Sequence, residues 1–80
     1  MHMKYIVINK LDVVIFSDNW SHQNMAFNLN IDRKSITSAG FFQITSAGAR
    51  CYGSSTSLSI PSDPGDSALV NKMAGDNVSL

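Results

Sequence analysis

Residues Met3 to Asn9 and Asp12 to Ser17 are two runs dense in β-branched and aromatic side chains, joined by a short polar link around Lys10. Such runs form strands, and their spacing predicts a β-hairpin. Alternation sends Tyr5 and Val7 to one face and Ile6 and Ile8 to the other; Val13 and Ile15 likewise oppose Val14 and Phe16. Both faces are therefore apolar. A hairpin with one wet face would alternate apolar with polar, so this one is expected to be covered on both sides. A helix is expected on one side, and a second layer or a second copy of the chain on the other.

After the hairpin the period changes. Asp18 or Ser21 is placed to cap a helix running to about Asn30, with His22, Met25, Ala26 and Leu29 on one stripe and Trp20, Phe27 and Ile31 beside it. Asn24, Asn28 and Asn30 are poor interior helix formers, so packing must hold this segment. A polar connection, Asp32 to Ser35, follows. Then Ile-Thr-Ser-Ala-Gly occurs twice, at 36–40 and 44–48, bracketing the apolar run from Phe41. Ser-Ala-Gly is small and turn-prone, which predicts two turns enclosing a strand from about Ala39 to Thr45, and a return strand from Arg50 to Gly53.

From Gly53 to Ser59 the chain is serine-rich, reading as a loop with a candidate edge strand; Leu58 and Ile60 are the large apolar residues there. Ser62 or Asp63, followed by Pro64, starts a second helix through Ala68, Leu69, Val70 and Met73, with Gly75 expected to end it and residues 76–80 to fray. The order is ββαββα, an α+β domain with a small antiparallel sheet and two short helices. Met1-His2 reads as a cloning remnant.

Composition adds limits. A chain of 80 residues makes one domain with a thin core, for which dimerisation would help. At 44% hydrophobic and 15% charged, it is too apolar for disorder and sparing in surface charge, so part of its surface is expected to be an interface. Net charge is zero and the six basic residues are scattered, which argues against a nucleic-acid groove. The single cysteine excludes an internal disulfide and a multi-cysteine zinc site. With no basic-then-apolar leader and no run of membrane-span length, the expected location is the cytoplasm, and the glycosylation patterns at Asn19 and Asn77 are discounted.

Candidate chemistry is sparse. Cys51 and His22 are the one thiol and imidazole pair once terminal His2 is set aside. A cysteine phosphatase loop would need arginine six residues after the cysteine, where this chain has Ser57. Packing roles, Cys51 in a strand and His22 in an apolar helix stripe, weigh more. Arg50 with Ser54 and Ser55 offers a cation and hydroxyls for a phosphate, against the reading of a hydrogen-bonded surface loop without Walker spacing. Asp63 and Asp66 are weighed as a cation pair and preferred as helix caps. No metal or cofactor is expected. Partner-binding candidates are Tyr5, Val7, Trp20, Phe41 and Tyr52, since aromatic anchors carry interface energy; for each, core packing is the competing role.

Four segments together, Ser21-His22-x-x-Met25-Ala26, Ser38-Ala39-Gly40-Phe41, Cys51-Tyr52-Gly53-x-Ser55-x-Ser57-Leu58 and Ser62-Asp63-Pro64-x-Asp66, resemble short hypothetical proteins of tailed bacteriophages and prophages. The chain departs from that type in carrying fewer acidic residues in its carboxyl-terminal helix. The resemblance implies a phage or prophage gene acting in a bacterial cytoplasm, and names no activity. The resulting expectation is a non-enzymatic homodimeric protein that binds a host or phage protein. The alternatives are a small-molecule or nucleotide binder using Arg50 to Ser57, and an accessory virion protein.

Overall fold

The polar link of the hairpin is a tight turn, with Asn9 and Lys10 at φ of 53° and 61° and the Leu11 N–H donating to the Ile8 carbonyl at 3.1 Å. The structure, a computed structural model, describes the backbone of residues 2–78 and the side chains of residues 3–73. Strands β1 (His2–Ile8) and β2 (Asp12–Ser17) flank this turn, followed by helix α1 (His22–Asn28) and a short 3-10 turn (Arg33–Ser35). Next come β3 (Ile36–Thr45), β4 (Gly48–Tyr52), a two-residue pair β5 (Ser54–Ser55) and β6 (Ile60–Pro61), and helix α2 (Asp66–Val78). The fold is a small α+β domain. Its sheet is fully antiparallel in the order β2-β1-β3-β4. The β5–β6 pair, inserted before α2, is the element that the ββαββα order lacks.

Both faces of β1 are buried within the one chain, which accounts for its doubly apolar pattern. Ile6, Phe16, Ile36 and Ala39 pack under Ala26 of α1 and under Leu58 and Ile60 of the serine-rich segment. Tyr5, Val7, Phe42 and Ala49 pack under Val70 of α2. Each fully buried aliphatic or aromatic side chain here contributes about 1.5–3 kcal/mol. Tyr5 and Val7, candidates for a partner surface from sequence, are 0% and 1% exposed and so belong to the core. The serine-rich segment is half of one core layer, anchored by two apolar residues and by the Arg33 guanidinium, which donates to the Leu58 carbonyl.

The two Ser-Ala-Gly copies have different fates. The second, at 46–48, is the β3–β4 turn, where Gly48 takes φ +110°. The first lies inside β3, because each small residue there is needed for close packing. Ala39 is fully buried against Ile6, and Ser38 points at Asp66. A Cβ on Gly40 would meet the Tyr52 carbonyl oxygen at 2.6 Å. Ser21 caps α1, its hydroxyl accepting from the Asn24 N–H at 3.0 Å, and Asp32 caps the 3-10 turn by accepting from the Lys34 N–H. Helix α2 runs past Gly75, where glycine was expected to stop it, as far as Val78. The expectations for Met1 and for residues 79–80 fall outside the described residues.

Candidate functional site

Helix α1 and the 54–61 segment cover only part of their face of the sheet. Beyond them lie Lys4, Phe41 and Tyr52, set there by strand alternation and by the register Lys4 opposite Phe41 opposite Tyr52. The Phe41 and Tyr52 rings stack at 5.8 Å with 23° between planes. His22 meets Phe41 edge-on at 5.7 Å, and the Lys4 ammonium sits 5.7 Å from the Phe41 centroid. The same ammonium donates to the Trp20 carbonyl at 2.7 Å. Lys4 thus links the β2–α1 turn to the aromatic pair, in a geometry worth about 0.5–1 kcal/mol as a cation–π contact.

Of the five partner-binding candidates, Phe41 and Tyr52 come together here, and Lys4 ties the Trp20 backbone to them. Trp20 is 45% and Tyr52 40% exposed, and Phe41 is half-buried. Gln43 and Arg50, paired across β3 and β4, share this face by alternation. Lys4, the residue that ties the group together, gave no signal in the sequence beyond a lysine inside an apolar strand.

The ligand-binding alternative is dispersed. Arg50 borders a depression with Gln43, Thr45 and Tyr52, whereas Ser54 and Ser55 line another with Thr56 and Pro61. Ser55 is buried, and its hydroxyl accepts from the Leu58 N–H at 3.1 Å, holding the turn that inserts Leu58 into the core.

Cys51 and His22 stand on opposite faces of the sheet. Cys51 packs in the α2 layer beside Phe42, its cross-strand partner, and burial pushes its thiol up from the ordinary range. His22 lies in the α1 layer, edge-on to Phe16 and Phe41, with its Nε2–H donating to the Gly40 carbonyl at 2.8 Å. Burial lowers its pKa, against a smaller raising effect of that hydrogen bond. The sheet separates the two groups, so they do not form a nucleophile–base pair.

The α2 layer holds a polar network that sequence reading missed. Asp66, 1% exposed, accepts from the Tyr5 hydroxyl at 2.5 Å, the Ser38 hydroxyl at 2.8 Å and the Asp63 N–H at 2.8 Å. Asp63 in turn accepts from the Gly65 N–H at 3.0 Å, so both acids serve the start of α2 as a reciprocal cap, as preferred from sequence, rather than converging on a cation. The signal for the buried end was Ser38, a polar residue at an inward position of an apolar strand.

Beside the network an open cleft of about 310 Å³ is lined by Val7, Ser38, Leu69, Lys10 and Asp63, among others. The Asp66 oxygens beside it are engaged by three donors. Among the described residues no group of three or more His, Cys, Asp or Glu side chains is arranged to hold a metal ion, and no helix is long and apolar enough to cross a membrane. No protein-family model matches the chain, and neither the curated proteins nor the solved structures contain a match.

Proposed function

We infer that this is a small non-enzymatic binding module, of bacteriophage or prophage origin, that docks a host or phage protein in the bacterial cytoplasm through the Trp20–Phe41–Tyr52 face. One observation carries the reading: the stacked Phe41 and Tyr52 rings of β3 and β4 lie on the same face as Lys4, whose ammonium holds the Trp20 carbonyl of the β2–α1 turn, and Trp20 and Tyr52 are each 40% or more exposed. Large rigid aromatics around a fixed cation give a partner contact area at small entropic cost. The imidazole, the thiol and the buried carboxylate are each absorbed in packing or capping, which leaves docking as the function the geometry supports best.

The test is site-specific photocrosslinking in bacterial cells. A photoreactive phenylalanine analogue at Tyr52 is expected to yield a discrete protein adduct, and the same analogue at exposed Phe27, on α1, none. Equal adducts at both positions, or none at Tyr52, would remove the assignment.

A further inference from the structure

The four-stranded sheet has two edges, and the chain closes one of them. At β4 the Asn71 carboxamide accepts from the Ala49 N–H at 2.8 Å and donates to the Ala49 carbonyl at 3.0 Å, while the Ser67 hydroxyl accepts from the Cys51 N–H at 2.9 Å. Ala49 and Cys51 therefore turn their backbone groups outward, and the alternation of antiparallel pairs carries inward from there. Gly40 and Phe42 bond toward β1, and Lys4, Ile6 and Ile8 bond toward β2. Two contacts agree: the Thr37 hydroxyl donates to the Val7 carbonyl on the β3 side, and the Leu11 N–H to the Ile8 carbonyl on the β2 side. In β2, Val14 and Phe16 consequently bond to β1. Val13 and Ile15 present N–H and C=O to the outside, where they meet no partner among the described residues.

Open edges are ordinarily blunted by lysine, proline, a bulge or a covering element. Between Asp12 and Ser17, β2 reads Val-Val-Ile-Phe, with Val13, Val14 and Ile15 half-buried. Between those ends it has no lysine, no proline and no register shift, and no described residue bonds to its outer backbone groups.

We propose that β2 is the interface with a second copy of this chain, the two strands pairing antiparallel about a two-fold axis at Val14 so that the two sheets become one. The register follows from which groups face outward. Outward residues must oppose outward residues, and of the registers this allows, Val13 opposite Ile15 of the partner subunit centres the pairing on the strand, giving about four inter-chain backbone hydrogen bonds, with the two Val14 side chains at the close, non-hydrogen-bonded position. Asp12 then faces Phe16 of the partner subunit. Pairing about Ile15 instead would set Asp12 against Asp18 of the partner subunit, a like-charge opposition. This parity-matched strand, whose one charge is Asp12 at its end, fits its own copy, and a thin single core gains from the second one. The edge is distinct from the aromatic face, so this inference and the docking reading fail independently.

The test combines sedimentation equilibrium with amide hydrogen exchange on the wild-type chain. The expected result is a species of twice 8.7 kDa in which the Val13 and Ile15 amides exchange at least about tenfold more slowly than in dilute, monomeric samples. Ile15→Pro removes an outward donor at an edge position where proline is tolerated, and is expected to give a folded monomer, while Ile15→Val stays dimeric. A wild-type monomer throughout the micromolar range, or a dimer whose Val13 and Ile15 amides exchange freely, would overturn the proposal whether or not the proline variant folds.

Discussion

The Tyr5 hydroxyl reaches the Asp66 carboxylate at 2.5 Å across 61 positions of chain, joining an inner strand of the sheet to the first residue of α2. Asp66 thereby fixes where α2 starts and which face of the sheet it covers. With Ser38 and the Asp63 N–H on the same carboxylate, three donors depend on one side chain. Removing an acceptor strands each donor at a cost of about 1–3 kcal/mol, so Asp66→Ala should destabilise more than Asp66→Asn, whose amide still accepts through one oxygen. Tyr5→Phe should cost about 1–2 kcal/mol. Urea unfolding followed by circular dichroism gives the three values.

The same bond predicts an alkaline limit. Burial, and then the Asp66 carboxylate, raise the Tyr5 phenol above its ordinary value. Below an unfolded phenol pKa of about 10 the contribution is fully present; above it the unfolded chain releases a proton that the folded chain retains, so stability falls as pH rises. Melting temperatures between pH 9 and 11 should decline in the wild type more steeply than in Tyr5→Phe.

On the acid side the relevant group is His22, whose pKa burial lowers. The neutral ring is the folded form. As pH falls below about 6.5 the unfolded chain takes up a proton that the folded chain resists, so stability drops by up to about 1.4 kcal/mol per pH unit until the lowered folded pKa is reached. Replacing His22 with Gln, which keeps a donor for the Gly40 carbonyl, should flatten the profile between pH 6.5 and 5 in thermal melts.

Asn71 is predicted to matter for association as well as stability. Its side chain closes the β4 edge, and Asn71→Ala removes two hydrogen bonds to Ala49 and exposes that edge. A loss of about 1–2 kcal/mol is expected, together with concentration-dependent growth of large species in light scattering that the wild type does not show.

Gly40→Ala should be among the most damaging single changes, since the added carbon would lie 2.6 Å from a backbone oxygen of the neighbouring strand. Relief requires β3 and β4 to part, which predicts a loss of about 3 kcal/mol or more, read from the denaturation midpoint. Gly48→Ala, at positive φ against Asn71, should also destabilise.

Several of these features were legible in the chain and others were not, for definite reasons. The doubly apolar β1 announced a sheet buried on both sides, and the Asp63-Pro64 pair announced the start of α2. The first Ser-Ala-Gly read as a turn because local composition speaks for flexibility, whereas in β3 its smallness serves a close approach set by residues far along the chain. The serine-rich segment hid a core layer for a similar reason: Leu58 and Ile60 are few, and only their burial against β1 and β3 reveals the role. Of the candidate site, Trp20, Phe41 and Tyr52 were recognisable as anchors by type. Tyr5 and Val7 are indistinguishable from them until α2 is seen to cover them.

The docking reading rests on the aromatic face, and native mass spectrometry tests it most directly. The tagged wild type and a Trp20→Ser/Tyr52→Ser variant would be drawn gently from bacterial lysate and compared. Both positions are exposed, so the variant is expected to fold. The predicted result is a discrete protein partner bound in fixed stoichiometry to the wild type and lost from the variant. A wild type carrying no partner, or a partner held equally by both, would contradict it.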